Sequence, residues 1–427
     1  MLVAAPLPVR TAPPGLPLPP IDDAVLRNPN WKVRLVNALS HRPQRGYAVL
    51  RLVAPILRVK SFVCVTRDDD VREVLGRDAD FPVPFGRNFQ AIDPTGTNFV
   101  LGMPNSEQYR AIRAATMRVF SLQDIPRIAQ IARTRAEAIM ADSGGAMDVV
   151  RDLLVRVLLD VTREYYGVDL PLPDGAHWLQ AVSFFDFSPV ADPAIKKVAF
   201  ASAERIAQVV DDAIARARAG ELPGTIVARY VDAQRDNPVL SDDVVRATVT
   251  GMIAGFIPTN SITTGHIVDL LLDKPAMMAA CQAAARAGDD DRLDRCLFEV
   301  LRWHPLNPGP FRNCAAETTI AAGTRREARL RPGDLIMAGT GSAMFDARRV
   351  KDPNKFDPDR EPSDYLHFGY GQHWCIGFAL ARAQMTQTIK PLLLHSDIRR
   401  ASGKAGKLAV YGSFPDHMTI LHGPRTP

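Results

Sequence analysis

Apolar residues recur every three to four positions along most of this chain, the period of a helix with one buried face. The spacing predicts amphipathic helices over 69–77, 106–120, 125–143 and 147–167, and another over 195–220 that stops at Gly220. The segment 241–273 differs. It opens on Ser241, a good N-cap, followed by Asp242 and Asp243, and is then apolar on nearly every side. That pattern predicts a helix running through the core, with Pro258 in its middle. A further helix, DDRLDRCLFEVLRWHP over 290–305, is stopped by Pro305. Strand-like runs are few: 46–53, 61–66 and 333–339. The expected fold is mainly α, a single large helical domain with a small β-sheet portion. No linker or repeat divides 21–427, while 1–20 is broken by seven prolines and reads as an extended or disordered tail.

Composition narrows the function classes. Hydrophobic residues make up 46% and charged residues 23%, enough for a large core. The net charge of +5 is spread thinly, with no Lys/Arg run dense enough for nucleic acid. A basic face for an acidic protein partner stays open. No stretch approaches the roughly 18 apolar residues of a membrane span. Five cysteines are scattered with no Cys-x-x-Cys pair, which argues against a disulfide scaffold or a zinc site. Reduced thiols, and hence a cytoplasmic protein, are expected.

One cysteine stands apart. Residues 367–377 read HFGYGQHWCIG, and the chain then turns helical with FALARAQMTQTIK. A helix start offers free N–H groups and a positive dipole end, both of which stabilise a thiolate. Gly371 and Gly377 let the backbone approach a flat ligand and aim its N–H groups at the sulfur. Such a thiolate is a nucleophile or a metal ligand. His373 is only two residues from Cys375, a spacing that seldom gives base geometry. With no second sulfur or histidine beside it, a single axial ligand to haem iron accounts for Cys375.

The stretch FGYGQHWCIG over 368–377 resembles the cysteine loop of the cytochrome P-450 superfamily, Phe-x-x-Gly-x-x-x-Cys-x-Gly, with Phe368, Gly371, Cys375 and Gly377 in step. EVLR at 299–302 resembles that family's Glu-x-x-Arg, and DPNKFDPDR at 352–360 resembles the meander between the two motifs. The resemblance implies haem b between the long helix and the cysteine-loop helix, with Cys375 as the iron ligand and Phe368 packed near the sulfur. It implies a buried network of Glu299 and Arg302 that holds the meander. It also implies propionate partners: His373, Arg312, and Arg113 on a helix where Tyr109 takes the place of the family's His or Trp. The implied activity is monooxygenation.

The chain departs from the family at the oxygen-activating part of the long helix. Members usually carry an acid and then a threonine after Ala/Gly-Gly, and these deliver protons for O–O cleavage. Here AGFIPTN at 254–260 keeps Ala254 and Gly255 but puts Ile257 and Pro258 at the acid and alcohol positions. Moving the register by one residue makes Thr259 the alcohol and Pro258 the acid position. In one reading Thr259 or Asn260, with water, carries the protons, and Pro258 frees the Ala254 carbonyl to hold that water. In the alternative the oxidant arrives already reduced, as for a peroxygenase or a hydroperoxide isomerase. A non-catalytic haem sensor is a third reading.

The loop 81–103, the segment 180–190, the long helix and the stretch after Pro305 are expected to line the substrate pocket. They supply Phe85, Phe89, Phe99, Phe256 and Phe311, and no obvious acid or arginine. A small to medium apolar substrate is expected. The chain has no flavin or iron–sulfur motif, so a monooxygenase would need a separate ferredoxin or flavodoxin. Arg110, Arg118 and Arg382 could attract that partner's acidic face. A monomer is expected.

Overall fold

The computed structural model describes residues 20–40, 44–172, 174–187 and 192–426. The predicted tail lies outside the described residues except for Pro20. Helices form at Asp68–Gly76, Glu107–Val119, Ile125–Asp142 and Pro193–Arg218, close to the expected limits. The predicted helix over 147–167 is composite. Ala146–Asp148 is a strand paired with Thr419–Leu421. Two π-helical segments, Val149–Val155 and Thr162–Tyr166, then flank a short α-helix, and the run ends at Gly167 with φ 86°.

A four-stranded sheet is ordered Ile56–Val59, Phe62–Val65, Leu335–Ala338, Phe311–Asn313. The central pair is parallel, with Val63 opposite Ile336, both fully buried. The expected strand at 46–53 is instead part of the helix Gln44–Val53. Tyr47 is the one residue of this helix that is buried, and its hydroxyl donates to the Pro308 carbonyl. Val49, Leu52 and Val53 stay exposed. An apolar run this short shows no period, so helix and strand look alike in the sequence.

The long helix spans Asp242–Asp273, and the Ser241 hydroxyl accepts from the Val244 amide at its start. Most of its residues are buried, as an all-round apolar pattern requires. It packs against the helices Asp174–Phe187, Asp290–Trp303 and Phe378–Leu393. The first of these had no clear period because its segment AVSFFDF is apolar on opposite sides.

Candidate active site

The cysteine loop is clamped from several directions before its helix starts at Phe378. The Cys375 amide donates to the Phe368 carbonyl at 3.0 Å. His367 Nε2 donates to the Phe298 carbonyl at 3.1 Å, and burial pushes the imidazole down to about 3, so it stays neutral. Gly371 has φ 72°, and a Cβ there would come 2.7 Å from the Leu75 carbonyl oxygen. A side chain at that position is excluded on both counts. Gly377 has φ −88° and room for a Cβ 3.9 Å from Cys375 Sγ, so its backbone needs no glycine by itself. Its amide donates to the Cys375 sulfur. Phe368 lies between Phe298 and Phe378, at centroid distances of 5.8 and 5.6 Å.

All five cysteines are free, and Cys375 alone among them is not packed into the core. Burial raises its thiol, while the Gly377 amide and the Arg113 charge pull it down. Around His373, two residues before it, stand donors with too few acceptors. Arg312 is 5% exposed, its Nε has no partner among the described residues, and burial pushes it down to about 10. The buried Tyr109 hydroxyl is also unpaired. Its ring meets the His373 ring edge to face at 6.2 Å. His373 Nε2 lies 2.8 Å from Asp78 Oδ1, without the alignment of a hydrogen bond, and Asp78 had no signal in the sequence.

Glu299 and Arg302 are fully buried and doubly bonded, at 2.6 and 2.9 Å. Arg302 also donates to the carbonyls of Met344, Pro353 and Lys355. Glu299 accepts from the Asp357 amide, Arg360 Nε and the Tyr365 hydroxyl. The segment 351–360 is thereby tied to the Glu-x-x-Arg helix.

The long helix is not opened at Pro258. The proline has no N–H for the Ala254 carbonyl, but the Ser183 hydroxyl of the neighbouring helix donates to that oxygen at 3.2 Å. The expected free carbonyl is therefore capped by a side chain. The Thr259 hydroxyl donates to the Gly255 carbonyl on a half-exposed face. Asn260 does not join it there: it is 5% exposed, with its amide on the Phe256 carbonyl at 2.8 Å. Ser261, Thr263 and Thr264 bond back to carbonyls of the same helix. This satisfies a polar run inside an apolar core.

An apolar cleft, partly open to solvent, reaches the long helix at Gly251, Ala254 and Gly255. Of the five predicted pocket phenylalanines, Phe89 and Phe99 line it. Phe99 lies directly on Gly251, where a Cβ would come 2.4 Å from the ring. Phe85 stands behind, edge to face with Phe187 at 4.8 Å. Phe256 points the other way and packs on Tyr166 in the main core. Phe311 is held in the sheet away from the cleft. Phe187 and the buried acid Asp186 line it from the expected 180–190 segment, though neither is among the predicted residues, and Ala203 and Ala207 line it from the helix Pro193–Arg218, which was not expected there.

A haem offers one axial position to a thiolate and two carboxylates to cations. Among the described residues no group of three or more His, Cys, Asp or Glu could hold a bare metal ion. A lone sulfur, with unpaired Arg312 and Tyr109 atoms around His373 two residues before it, fits the macrocycle, since each buried donor costs free energy until it meets an acceptor.

Comparison with known proteins gives the same family. The cytochrome P-450 family model matches residues 175–405. The chain is 28% identical over 343 residues to erythromycin C-12 hydroxylase of Saccharopolyspora erythraea, covering 77% of this chain and 80% of the relative. It is 27% identical over 346 residues to steroid C26-monooxygenase of Mycolicibacterium smegmatis, covering 78% and 82%. The solved structure of CalO2 superposes with a TM-score of 0.74 at 23% identity, covering 92% of this chain and 98% of that one.

Proposed function

The chain belongs to the cytochrome P-450 family, a haem b oxidoreductase of the monooxygenase kind, and from that premise we propose that it oxidises a medium-sized, largely apolar molecule with O2 and electrons from a ferredoxin or flavodoxin. Bound haem with thiolate ligation supplies the oxygen-activating chemistry. In this reading Cys375 holds the iron, and the Gly377 amide and Arg113 favour its thiolate form. Arg312, Arg113, His373 and Tyr109 hold the propionates. Phe89 and Phe99 exclude water and press the substrate toward Ala254 and Gly255. Residues 21–427 act as one haem domain, as a cytoplasmic monomer.

The observation that carries the O2-dependent reading is the Thr259 hydroxyl. It is held on the Gly255 carbonyl at the half-exposed face of the helix. From there it can pass a proton into the cleft without a neighbouring carboxylate. A second reading has its own support: residues 244–268 of the long helix contain no Asp or Glu, which suits a peroxide-driven enzyme that needs no relay. A side-by-side assay decides. Purified holoenzyme is supplied with NADPH and a surrogate ferredoxin system, or with hydrogen peroxide alone, over a panel of apolar compounds. Ferredoxin-dependent product is expected. Thr259→Ala is expected to keep substrate binding and divert reducing equivalents to hydrogen peroxide. Product from peroxide alone, indifferent to Thr259→Ala, would establish the peroxygenase instead.

A further inference from the structure

Asp186 is an acid in an otherwise apolar cleft. It lies near the end of the helix Asp174–Phe187, one turn beyond Ser183, and is 4% exposed. Its Oδ1 is buried and has no hydrogen-bond partner among the described residues. It shares the cleft wall with Phe89, Phe99, Val182, Phe187, Ala203 and Gly251.

The other acid of the wall, Asp93, shows what a structural carboxylate looks like here. Its Oδ1 accepts from the amides of Thr95 and Thr97 and from the Thr95 hydroxyl. Nearby Arg246 is matched as well, by Asp211 at 3.2 Å and Asp243 at 2.6 Å. Arg87 points to solvent. Among the described residues no charged group acts on Asp186.

An unpaired buried carboxyl oxygen is costly, and an apolar residue would fill the same position without that cost. We propose that Asp186 is the anchor for a basic amine on the substrate, held as an ammonium ion in the cleft between the carboxyl group and the Phe89 and Phe187 rings. Two aromatic rings beside the acid suit a cation, because ring faces attract positive charge. Phe187 stands 5.7 Å from Phe89, so both can contact one small alkylammonium group. The specificity follows from the geometry. A neutral hydrocarbon leaves the oxygen unpaired, whereas an ammonium ion satisfies it.

Protonation fits this role. Burial alone pushes the Asp186 carboxyl well above the usual carboxylate range, with no charged neighbour contributing. Burial therefore favours the neutral acid in the free enzyme. An ammonium ligand then displaces that proton to solvent, so binding releases up to one proton.

This inference rests on the cleft being the substrate site of the proposed monooxygenase, and the test separates the two. The probes are a series of phenylalkyl dimethylamines, whose hindered nitrogen is a poor iron ligand, and their isopropyl-ended hydrocarbon isosteres. Calorimetric titration of the holoenzyme in buffers of different ionisation enthalpy gives affinity and proton release together. Wild type should prefer the amines by on the order of a hundredfold. Asp186→Asn and Asp186→Leu should lose that preference, and Asp186→Asn should release no proton. An unchanged carbon monoxide-difference spectrum checks that each variant is folded around its haem. Equal amine preference in wild type and Asp186→Asn, or binding of the hydrocarbon isosteres as tight as that of the amines in wild type, overturns the proposal. Failure of reductant-driven turnover in wild type with the amine preference intact would instead count only against the monooxygenase reading.

Discussion

Glu299 and Arg302 show how this molecule keeps full charges where no water reaches. Both are completely buried, and all five Arg302 N–H donors and both Glu299 oxygens have partners. Removing one member leaves the other charged and uncompensated. Glu299→Ala is therefore expected to cost about 3–5 kcal/mol in denaturant unfolding. It should also release the 351–360 segment to proteolysis and lower haem retention. A loss under about 1 kcal/mol, typical of an exposed pair, would contradict this account. Arg312 Nε and the Tyr109 hydroxyl are the opposite case, buried without a partner among the described residues, although Arg312 Nη1 donates to the Phe311 carbonyl. In the proposed reading Cys375 ligates the iron, so its identity should set the spectrum. The reduced, carbon monoxide-bound protein should show the strongly red-shifted band of sulfur ligation. Cys375→His should give the imidazole-type band, and replacing Cys64, Cys281, Cys296 or Cys314 should leave the spectrum unchanged. A native band in Cys375→Ser would assign the iron to another residue.

At the scale of the element, the long helix turns on one exchange across an interface. Pro258 removes an N–H from the ladder, and Ser183 from another helix supplies an O–H to the orphaned Ala254 carbonyl. The two effects are coupled, and a double-mutant cycle measures the coupling. Ser183→Ala alone should cost about 1–3 kcal/mol by leaving that carbonyl unpaired. In a Pro258→Ala background the restored amide can serve Ala254, so the same change should cost a few tenths of a kcal/mol. Equal costs in both backgrounds would mean that the Ser183 contact contributes nothing to the helix. The proline itself was plain in the sequence, but its partner was not. Ser183 is distant in sequence and lies on a helix that shows no periodic stripe. The same limit explains the pocket. Phe99 and Phe256 are equivalent as sequence, yet one packs on Gly251 from outside and the other faces Tyr166 in the core. Direction on a helix buried all round is set by its neighbours, which a single sequence does not display. Local devices were legible because their signal is short-range: the Ser241 cap, and Glu299 and Arg302 one turn apart.

For the whole molecule, the question is where electrons enter. The helix Glu107–Val119 divides cleanly between inside and outside. Tyr109, Ile112 and Thr116 are buried and Arg113 is half-buried, so this face turns inward, and the Arg113 charge acts on Cys375. Arg110, Met117 and Arg118 face solvent, and Leu122 follows just beyond, 61% exposed. Arg382, expected to join this surface, is instead paired with Asp294 and stacked over Phe298 at 4.5 Å. Arg110, which donates to the neutral Asn105 side chain at 2.9 Å, and Arg118 have no acidic partner among the described residues; with exposed Met117 and Leu122 they make a small apolar patch with a positive rim, on the outer side of the helix that reaches the sulfur. With a net charge of +5, the molecule attracts an acidic carrier from a distance, an effect that salt screens within about 10 Å at 0.1 M. Arg110→Glu with Arg118→Glu should raise the KM for an acidic ferredoxin on the order of tenfold and flatten its salt dependence. Turnover supported by hydrogen peroxide needs no docking, so any such activity should survive the double change. An unchanged KM, or an equal loss with ferredoxin and with peroxide, would place the entry of electrons on another face.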